Sequence, residues 1–236
     1  MHISTIATAA LAGNEDFSGK TAVVIDVLRA SSVIVTALSN GANSVVPAAD
    51  IEEAFSLYNQ HPHNSLLCGE RDTIKIEGFH LGNSPLEYTS AVISGKDLIL
   101  CTSNGTKALR ACRAAARLYI ASFLNLVAVA RPLAAENTDV VIVCSGTNGK
   151  FSLDDALCAG MLINAISKHK NVALCDLSQA LLGLARGNQQ PLELALQDCY
   201  HIGYLREKGF SSDIAYCLRV NMTGCLPFWQ IDCLRS

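Results

Sequence analysis

The amino-acid sequence predicts an α/β protein of three layers, in which helices cover both faces of a largely parallel or mixed sheet. Short β-branched runs are followed repeatedly by a small or polar turn and then by a helical pattern. The chain of 236 residues is 50% hydrophobic and 17% charged, which supplies enough apolar surface for a large core. We expect one domain over 1–236, with two subdomains of about 1–95 and 96–236 sharing a cleft as a variant of that arrangement.

The first part of the chain carries this alternation clearly. A strand is predicted over Thr21–Ile25 and a helix over 31–40. A strand over 43–47 and a helix over 51–60 follow, and Asp50 is well suited to cap the start of that helix.

The same order of strand, polar turn, helix, strand and helix returns later. Because it recurs over 21–60 and 97–133, an internal duplication is one interpretation, and chance recurrence of βα units is the other. The later predicted elements are a strand over 97–101, a helix over 106–116, a strand over 117–121, a helix from about 122, a strand over 139–144 and a helix over 154–168.

Two segments do not fit the alternation. The residues from Cys68 to Ser94 show no sustained helical or strand period, and long irregular connections of this kind are more often functional than not. The tail over 197–236 combines a helix that ends at Gly209 with a strand containing Pro227. We expect this tail to close one edge of the domain.

Charge and targeting signals limit the classes of partner. The net charge is −3 and the pI about 6.0, and no run of Lys or Arg provides the basic surface that nucleic acids and anionic membranes require. The apolar run over 6–13 is far shorter than the roughly 20 residues of a membrane span, and no basic segment precedes it as in a secretory signal. We therefore expect a cytoplasmic protein without nucleic-acid or membrane partners.

Several catalytic chemistries lack their motifs. The ten Cys form no C-x-x-C pair and none is followed six positions later by Arg, so reduced core thiols are favoured over disulfides, zinc sites or a cysteine phosphatase loop. The six His show no metalloprotease spacing, and the G-x-S-x-G motif of serine hydrolases is missing.

Polar turns follow several predicted strands, at the edge where ligands bind in open α/β sheets. The turn over 26–32 contains an acid, a guanidinium and two hydroxyls, although a plain helix cap explains it equally well. The turn over 102–106 offers small donors before a helix that suit a phosphate or sulfonate, and ordinary turn chemistry explains it too. The turn over 145–150 is not a P-loop, because Cys144 and Phe151 stand where that loop needs Gly and Ser or Thr.

Charged residues cluster in these turns. Asp155 can close a capping box with Ser152, but the adjacent carboxylates of Asp154 and Asp155 are also a common way to hold Mg²⁺. A concentration of basic side chains in the polar turns is expected for a small polyanionic ligand. These side chains are Arg29, Arg71, Lys75, Lys107 and Lys150.

Taken together, the motifs occur in the order of one known family and span the chain from about 20 to 230. They are VVIDVLRASS at 23–32, GER at 69–71, IEGF at 76–79, LGNSPLEY at 81–88, TSNGT at 102–106, VCSG at 143–146, FSLDD at 151–155, DIAYC at 213–217 and Pro227. In these residues the sequence closely resembles the 2-phosphosulfolactate phosphatase family.

This resemblance implies an α/β/α fold and a Mg²⁺-dependent acid phosphatase. The implied reaction hydrolyses 2-phosphosulfolactate to sulfolactate and phosphate, a step of coenzyme M biosynthesis. With such a substrate, the catalytic residues are expected to be Asp26, Arg29 and Asp155, and Mg²⁺ to be held by Asp26, Glu70, Asp154 and Asp155. The small anionic substrate is expected to contact Ser31, Arg71, Asn83, Ser84, Thr102, Ser103, Asn104, Gly105, Ser145 and Gly146.

Alternatives stay open at this point. Asp26 is either a metal ligand or a nucleophile that forms an aspartyl-phosphate. The protein could instead act on another small phosphorylated hydroxy acid, or bind a small anion without catalysis. The large apolar fraction leaves room for a homodimer.

Overall fold

The computed structural model, which describes residues 1–103 and 105–236, contains eleven strands and ten α-helices. The strands are β1 (His2–Ile6), β2 (Thr21–Ile25), β3 (Ser44–Pro47), β4 (Ser65–Arg71), β5 (Ile74–Lys75), β6 (Asp97–Cys101), β7 (Arg117–Ala121), β8 (Val140–Cys144), β9 (Ala173–Leu174), β10 (Phe228–Gln230) and β11 (Cys233–Arg235). The helices are α1 (Ala30–Ser39), α2 (Ile51–Gln60), α3 (Ser90–Ile93), α4 (Gly105–Ala111), α5 (Leu126–Ala135), α6 (Leu153–Ser167), α7 (Asp176–Gly187), α8 (Leu192–Ala195), α9 (Tyr200–Glu207) and α10 (Ser211–Cys217). Within the described ranges, none of these helices has both the length and the apolar character to cross a membrane.

All strands belong to one mixed sheet, in the order β5-β4-β6-β3-β11-β10-β7-β2-β8-β1-β9. One parallel group contains β7, β2, β8, β1 and β9, and a second contains β3, β6 and β4. The hairpin of β10 and β11 joins them through antiparallel pairs to β7 and β3. The two parallel groups therefore run in opposite directions.

Helices cover both faces of this sheet, as predicted. In β2, Val23 and Ile25 face a core built with α5, α6 and α7, whereas Ala22 and Val24 face the opposite core with α1 and α4. A smaller third core lies between α2 and the strands β4 and β6. Because both faces are buried, the central strands are continuous apolar runs instead of alternating ones.

Most of the predicted elements are confirmed. The predicted strands over 21–25, 97–101 and 117–121 and the predicted helix over 51–60 have the same bounds in the structure. Asp50 caps that helix, because its carboxylate accepts a hydrogen bond from Glu53 N at 2.8 Å.

Three predictions are wrong. The tail does not close an edge, since its hairpin lies in the middle of the sheet. The segment from Cys68 is not irregular at its start, because β4 continues to Arg71. It does so through Gly69, where a Cβ would lie only 1.9 Å from Cys101 O, so only glycine allows this approach to β6. The helix predicted to end at 116 ends at Ala111, and the following residues form tight turns that lead into β7.

Candidate active site

A cleft with a volume of about 70 Å³ lies where the turns after β2, β6 and β8 meet the tip of the β4–β5 hairpin and the start of α9. These turns do not share one carboxyl edge, since the two strand groups run in opposite directions. They meet because the N-terminus of α1 contacts that of α4. Six residues predicted for the site line the cleft: Asp26, Arg29, Glu70, Asn83, Thr102 and Ser103.

Asp26 follows β2 directly and is buried in the cleft wall. Its Oδ1 accepts a hydrogen bond from Ala30 N at 3.1 Å, and within 1–103 and 105–236 no hydrogen bond reaches its Oδ2. Burial raises the pKa of Asp26 to about 6, although nearby His201 and the Ala30 N–H act in the opposite direction. The Ser31 hydroxyl accepts from Asp26 N at 2.9 Å, so Ser31 fixes the backbone of Asp26.

Gly105 permits the close approach of α1 and α4. A Cβ at this position would lie 2.5 Å from the Ala30 Cβ and 2.9 Å from Asp26 Oδ2, which no other residue could tolerate without displacing them. Thr102 closes the turn before α4, because its hydroxyl accepts from Thr106 N at 3.2 Å. Asn104, which was predicted to contact the substrate, lies outside the described residues.

Glu70 connects the β4–β5 hairpin with the turn after β6. Its Oε1 accepts from Ser103 N at 2.8 Å, and its Oε2 accepts from Thr73 N at 2.8 Å and from the Ser103 hydroxyl at 3.3 Å. Both carboxylate oxygens of Glu70 thus have protein donors. Its visible role is to hold Thr73 and Ser103 at the cleft.

Arg29 is buried, and both terminal nitrogens of its guanidinium donate hydrogen bonds to the protein. Its Nη1 donates to Asp213 Oδ2 at 2.6 Å, its Nη2 donates to Thr73 O at 3.3 Å, and its guanidinium stacks 3.9 Å from the ring centre of Phe210. The Ser84 hydroxyl donates to the other oxygen of Asp213 at 2.6 Å. Arg29 and Ser84 therefore share Asp213, which comes from α10.

Asp155 joins the turns after β2 and β8. Its Oδ1 accepts from Val27 N at 2.8 Å and its Oδ2 from Gly146 N at 2.9 Å. Burial, together with the charges of Asp154 and Asp26, raises the pKa of Asp155 well above its ordinary value. The two amide contacts make Asp155 a residue that positions both turns beside Asp26.

Asp154 faces His201 at the start of α9. Its Oδ1 accepts a short hydrogen bond from the Ser152 hydroxyl, which is itself 3.1 Å from the Thr147 hydroxyl, and its Oδ2 lies 3.7 Å from His201 Nδ1. Burial lowers the pKa of His201, but Asp154 and, more weakly, Asp26 raise it, and the net effect is a pKa above the ordinary value. Thr147 and His201 both line the cleft.

The other predicted residues lie in different surroundings. Asn83 is buried in the cleft wall, and its Oδ1 has no hydrogen-bond partner in the described part of the chain. Arg71 is directed away, since its Nη1 donates to Glu70 O at 3.1 Å and its Nη2 to Cys101 Sγ at 3.2 Å. Ser145 is buried behind the cleft and does not line it.

Comparison with known proteins identifies the family of this chain. The family described as 2-phosphosulpholactate phosphatase matches residues 6–231, nearly the whole chain. The chain belongs to this family.

Curated relatives of the 2-phosphosulfolactate phosphatase family cover similar lengths. A protein of Clostridium perfringens named probable 2-phosphosulfolactate phosphatase is 42% identical over 225 residues, which are 94% of this chain and 91% of that protein. Proteins with the same name from Caldanaerobacter subterraneus and Clostridium tetani are 41% and 40% identical, covering 96% and 98% of this chain and 95% and 98% of theirs.

The donors of the family motifs suit Mg²⁺ bound through few protein ligands. Across residues 1–103 and 105–236, no three His, Cys, Asp or Glu side chains come together as a preformed metal cage. Mg²⁺ is commonly held by one or two carboxylates, several waters and substrate phosphate oxygens. The unbonded Oδ2 of Asp26, in the wall of the cleft, is an oxygen donor of the required kind.

Sequence reasoning missed several residues that line or support the cleft, and three of them stand out. His201 and Thr73 line the cleft, and Asp213 holds Arg29. The only signal for Asp213 was its presence in the DIAYC motif, and nothing in the spacing of the six His marked His201.

Proposed function

We propose that this protein is a phosphoric monoester hydrolase that converts 2-phosphosulfolactate to sulfolactate and phosphate with Mg²⁺. The observation that carries the proposal is the buried Asp26 carboxylate, with one free oxygen in the cleft of a chain that matches the family over 6–231. A buried acid with a raised pKa beside converging donors is typical of a catalytic site.

The proposed metal ligand is Asp26, through Oδ2. Glu70, Asp154 and Asp155 each already receive protein donors, so we assign them chiefly to holding the loops around the metal. When bound, Mg²⁺ supplies positive charge that neutralises the charge developing on the transferring phosphoryl group.

The protein's own polar groups would hold the substrate. Asn83 and Thr102 present side chains at the cleft wall, and Arg29 adds a fixed positive charge. Because Arg29 is held by Asp213, its guanidinium keeps one orientation, which favours binding without loss of side-chain entropy. Attack by Asp26 itself remains the alternative to its role as a ligand, and a phosphoenzyme trapped by rapid acid quench would distinguish the two.

We also propose that the enzyme works in a reducing compartment, the cytoplasm. All ten Cys are free thiols, and eight of them are buried. A homodimer stays a prediction, to be checked by light scattering.

Phosphate release measured with and without EDTA tests the function. We expect EDTA to abolish activity of the wild type. Asp26→Asn keeps the shape of the side chain but removes its charge, and should lower the rate by about 10³-fold, equivalent to roughly 4 kcal/mol of barrier.

Asp232→Asn is the matched control, because Asp232 is exposed in the turn between β10 and β11 and Asn tolerates its positive φ of 62°. A wild type that is indifferent to EDTA, or an Asp26→Asn protein with the rate of the control, would refute the proposal.

A further inference from the structure

A groove adjoins the cleft and shares Thr147, Asn148 and His201 with it. The groove has a volume of about 380 Å³, against about 70 Å³ for the cleft. The cleft suits a compact phosphoryl group, and a substrate bound there must extend its remaining atoms in some direction. The shared residues make the groove the neighbouring space for these atoms.

The wall of the groove that follows β8 is rigid. Thr147 N donates to Lys150 O at 2.9 Å and Lys150 N donates to Thr147 O at 3.0 Å, with Asn148 and Gly149 at φ values of 52° and 73° between them. This is the two-residue Asn-Gly turn that favours a tight hairpin. At Gly146, a Cβ would lie 2.3 Å from Lys150 O, so the loop packs closely on itself. The backbone of Lys150 is therefore fixed at the groove.

The side chains of the groove combine apolar and charged groups. Phe151 and Tyr200 both line the groove and are 53% and 78% exposed, which is unusual for aromatic side chains that serve only packing. Lys150 is the only Lys or Arg among the described lining residues, and Asp198 is the only acid. Neither forms an ion pair with a described residue, so both charges are available to a ligand.

We propose that this groove binds the alcohol half of the phosphoester, with Lys150 pairing with an anionic substituent of that half. A substrate that places its phosphoryl group in the cleft and its carbon skeleton in the groove must pass Thr147 and His201, so its ester oxygen lies beside them. Lys150 thus favours alcohols that carry a carboxylate or sulfonate, and the negative charge of Asp198 partly offsets this preference.

This inference rests on the proposed function and makes it more specific. Arg71, the other cation predicted for the substrate, is engaged with Cys101 and does not line the cleft or the groove. Arg29 lies in the cleft and is paired with Asp213, so recognition of an anionic substituent in the groove falls to Lys150.

Three esters separate the contributions of the substituents. 2-Phosphosulfolactate carries a carboxylate and a sulfonate, 2-phospholactate only the carboxylate, and isopropyl phosphate neither. The measured quantity is the ratio of kcat/KM for 2-phosphosulfolactate to kcat/KM for isopropyl phosphate.

Replacing Lys150 by Gln should lower this ratio by roughly two- to fivefold, as expected for loss of a largely exposed ion pair. Asp198→Asn should raise the ratio, because it removes the opposing charge. Lys168→Gln is the control, since Lys168 is exposed at the end of α6 and does not line the groove. Ratios of Lys150→Gln and Asp198→Asn that match the control would overturn the inference.

Equilibrium binding of sulfolactate, measured by calorimetry, separates this inference from the proposed function. If the wild type hydrolyses none of the three esters, the proposed function fails. The groove is then tested by binding alone, where Lys150→Gln should raise the Kd for sulfolactate by roughly two- to fivefold. No sulfolactate binding, or equal Kd values in the wild type and Lys150→Gln, would overturn it.

Discussion

Removing the carboxylate of Asp213 is expected to destabilise the protein strongly. The Arg29 and Asp213 side chains are 2% and 5% exposed and 2.6 Å apart. At an effective dielectric constant of about 20, two unit charges at this distance attract by roughly 6 kcal/mol, which is an upper bound because desolvation opposes it. Breaking buried pairs of this kind costs about 3–5 kcal/mol, since one charge stays buried without a partner. We therefore expect Asp213→Ala to lower the free energy of unfolding by about 4 kcal/mol.

Urea unfolding with linear extrapolation measures this loss. Two variants make the test specific. Arg110→Ala breaks a pair of similar length, 2.8 Å to Glu53, whose side chains are 38% and 41% exposed, and should cost less than about 1 kcal/mol. Arg29→Met combined with Asp213→Leu removes both buried charges and should be more stable than Asp213→Ala alone. The reasoning is wrong if Asp213→Ala is as stable as Arg110→Ala, or if the double variant is no more stable than Asp213→Ala.

Two further predictions concern the cleft and one the thiols. Gly105→Ala should lower the free energy of unfolding by about 1–3 kcal/mol and should also slow phosphate release, because the added methyl group would displace Ala30 and Asp26. Urea unfolding and the activity assay check this. A fully active, equally stable variant contradicts it. Burial raises the pKa of Asp26 from an ordinary 3.8 to about 6 in the folded protein. Ionising this carboxyl group therefore lowers the free energy of unfolding as the pH rises from about 4 to about 6. In EDTA, Asp26→Asn should therefore be more stable than the wild type at pH 7, by up to about 3 kcal/mol, and this advantage should vanish near pH 4; an equal difference at both pH values argues against it. A thiol reagent at pH 8 should modify Cys175 first in the native protein. Partial burial raises the pKa of Cys175, but its hydrogen bonds with Ser178 outweigh this effect and lower the pKa. The buried thiols should react only in urea, and rapid labelling of all ten in the native state contradicts this.

The sequence was sufficient for strands such as β2, β6 and β7 and for the position of Asp26 at the end of β2. The run over Thr21–Ile25 is wholly apolar because both faces of β2 are covered, and its abrupt end at a carboxylate marks a strand end with a polar turn. Such signals are local, so they can be read without knowing the rest of the fold.

Other features depend on distant parts of the chain and could not be predicted. The C-terminal hairpin joins the sheet through single residue pairs, Phe228 with Tyr119 and Leu234 with Val45, and no local pattern specifies these partners. His201 reaches the cleft only because α9 packs beside Asp154 at the start of α6. Arg71 illustrates the opposite case, because its position near a turn suggested substrate contact while its side chain follows β4 towards Cys101.

The central position of β10 and β11 affects how the chain is made. The ribosome delivers this hairpin after the nine other strands, so both parallel groups can form while the edges of β7 and β3 are still unpaired. Open strand edges are templates for pairing with other chains, and transiently exposed edges make folding intermediates prone to aggregate. The nascent protein is thus most vulnerable to aggregation just before its last two strands emerge, and any delay at that point prolongs the exposure of the two edges that the hairpin later covers.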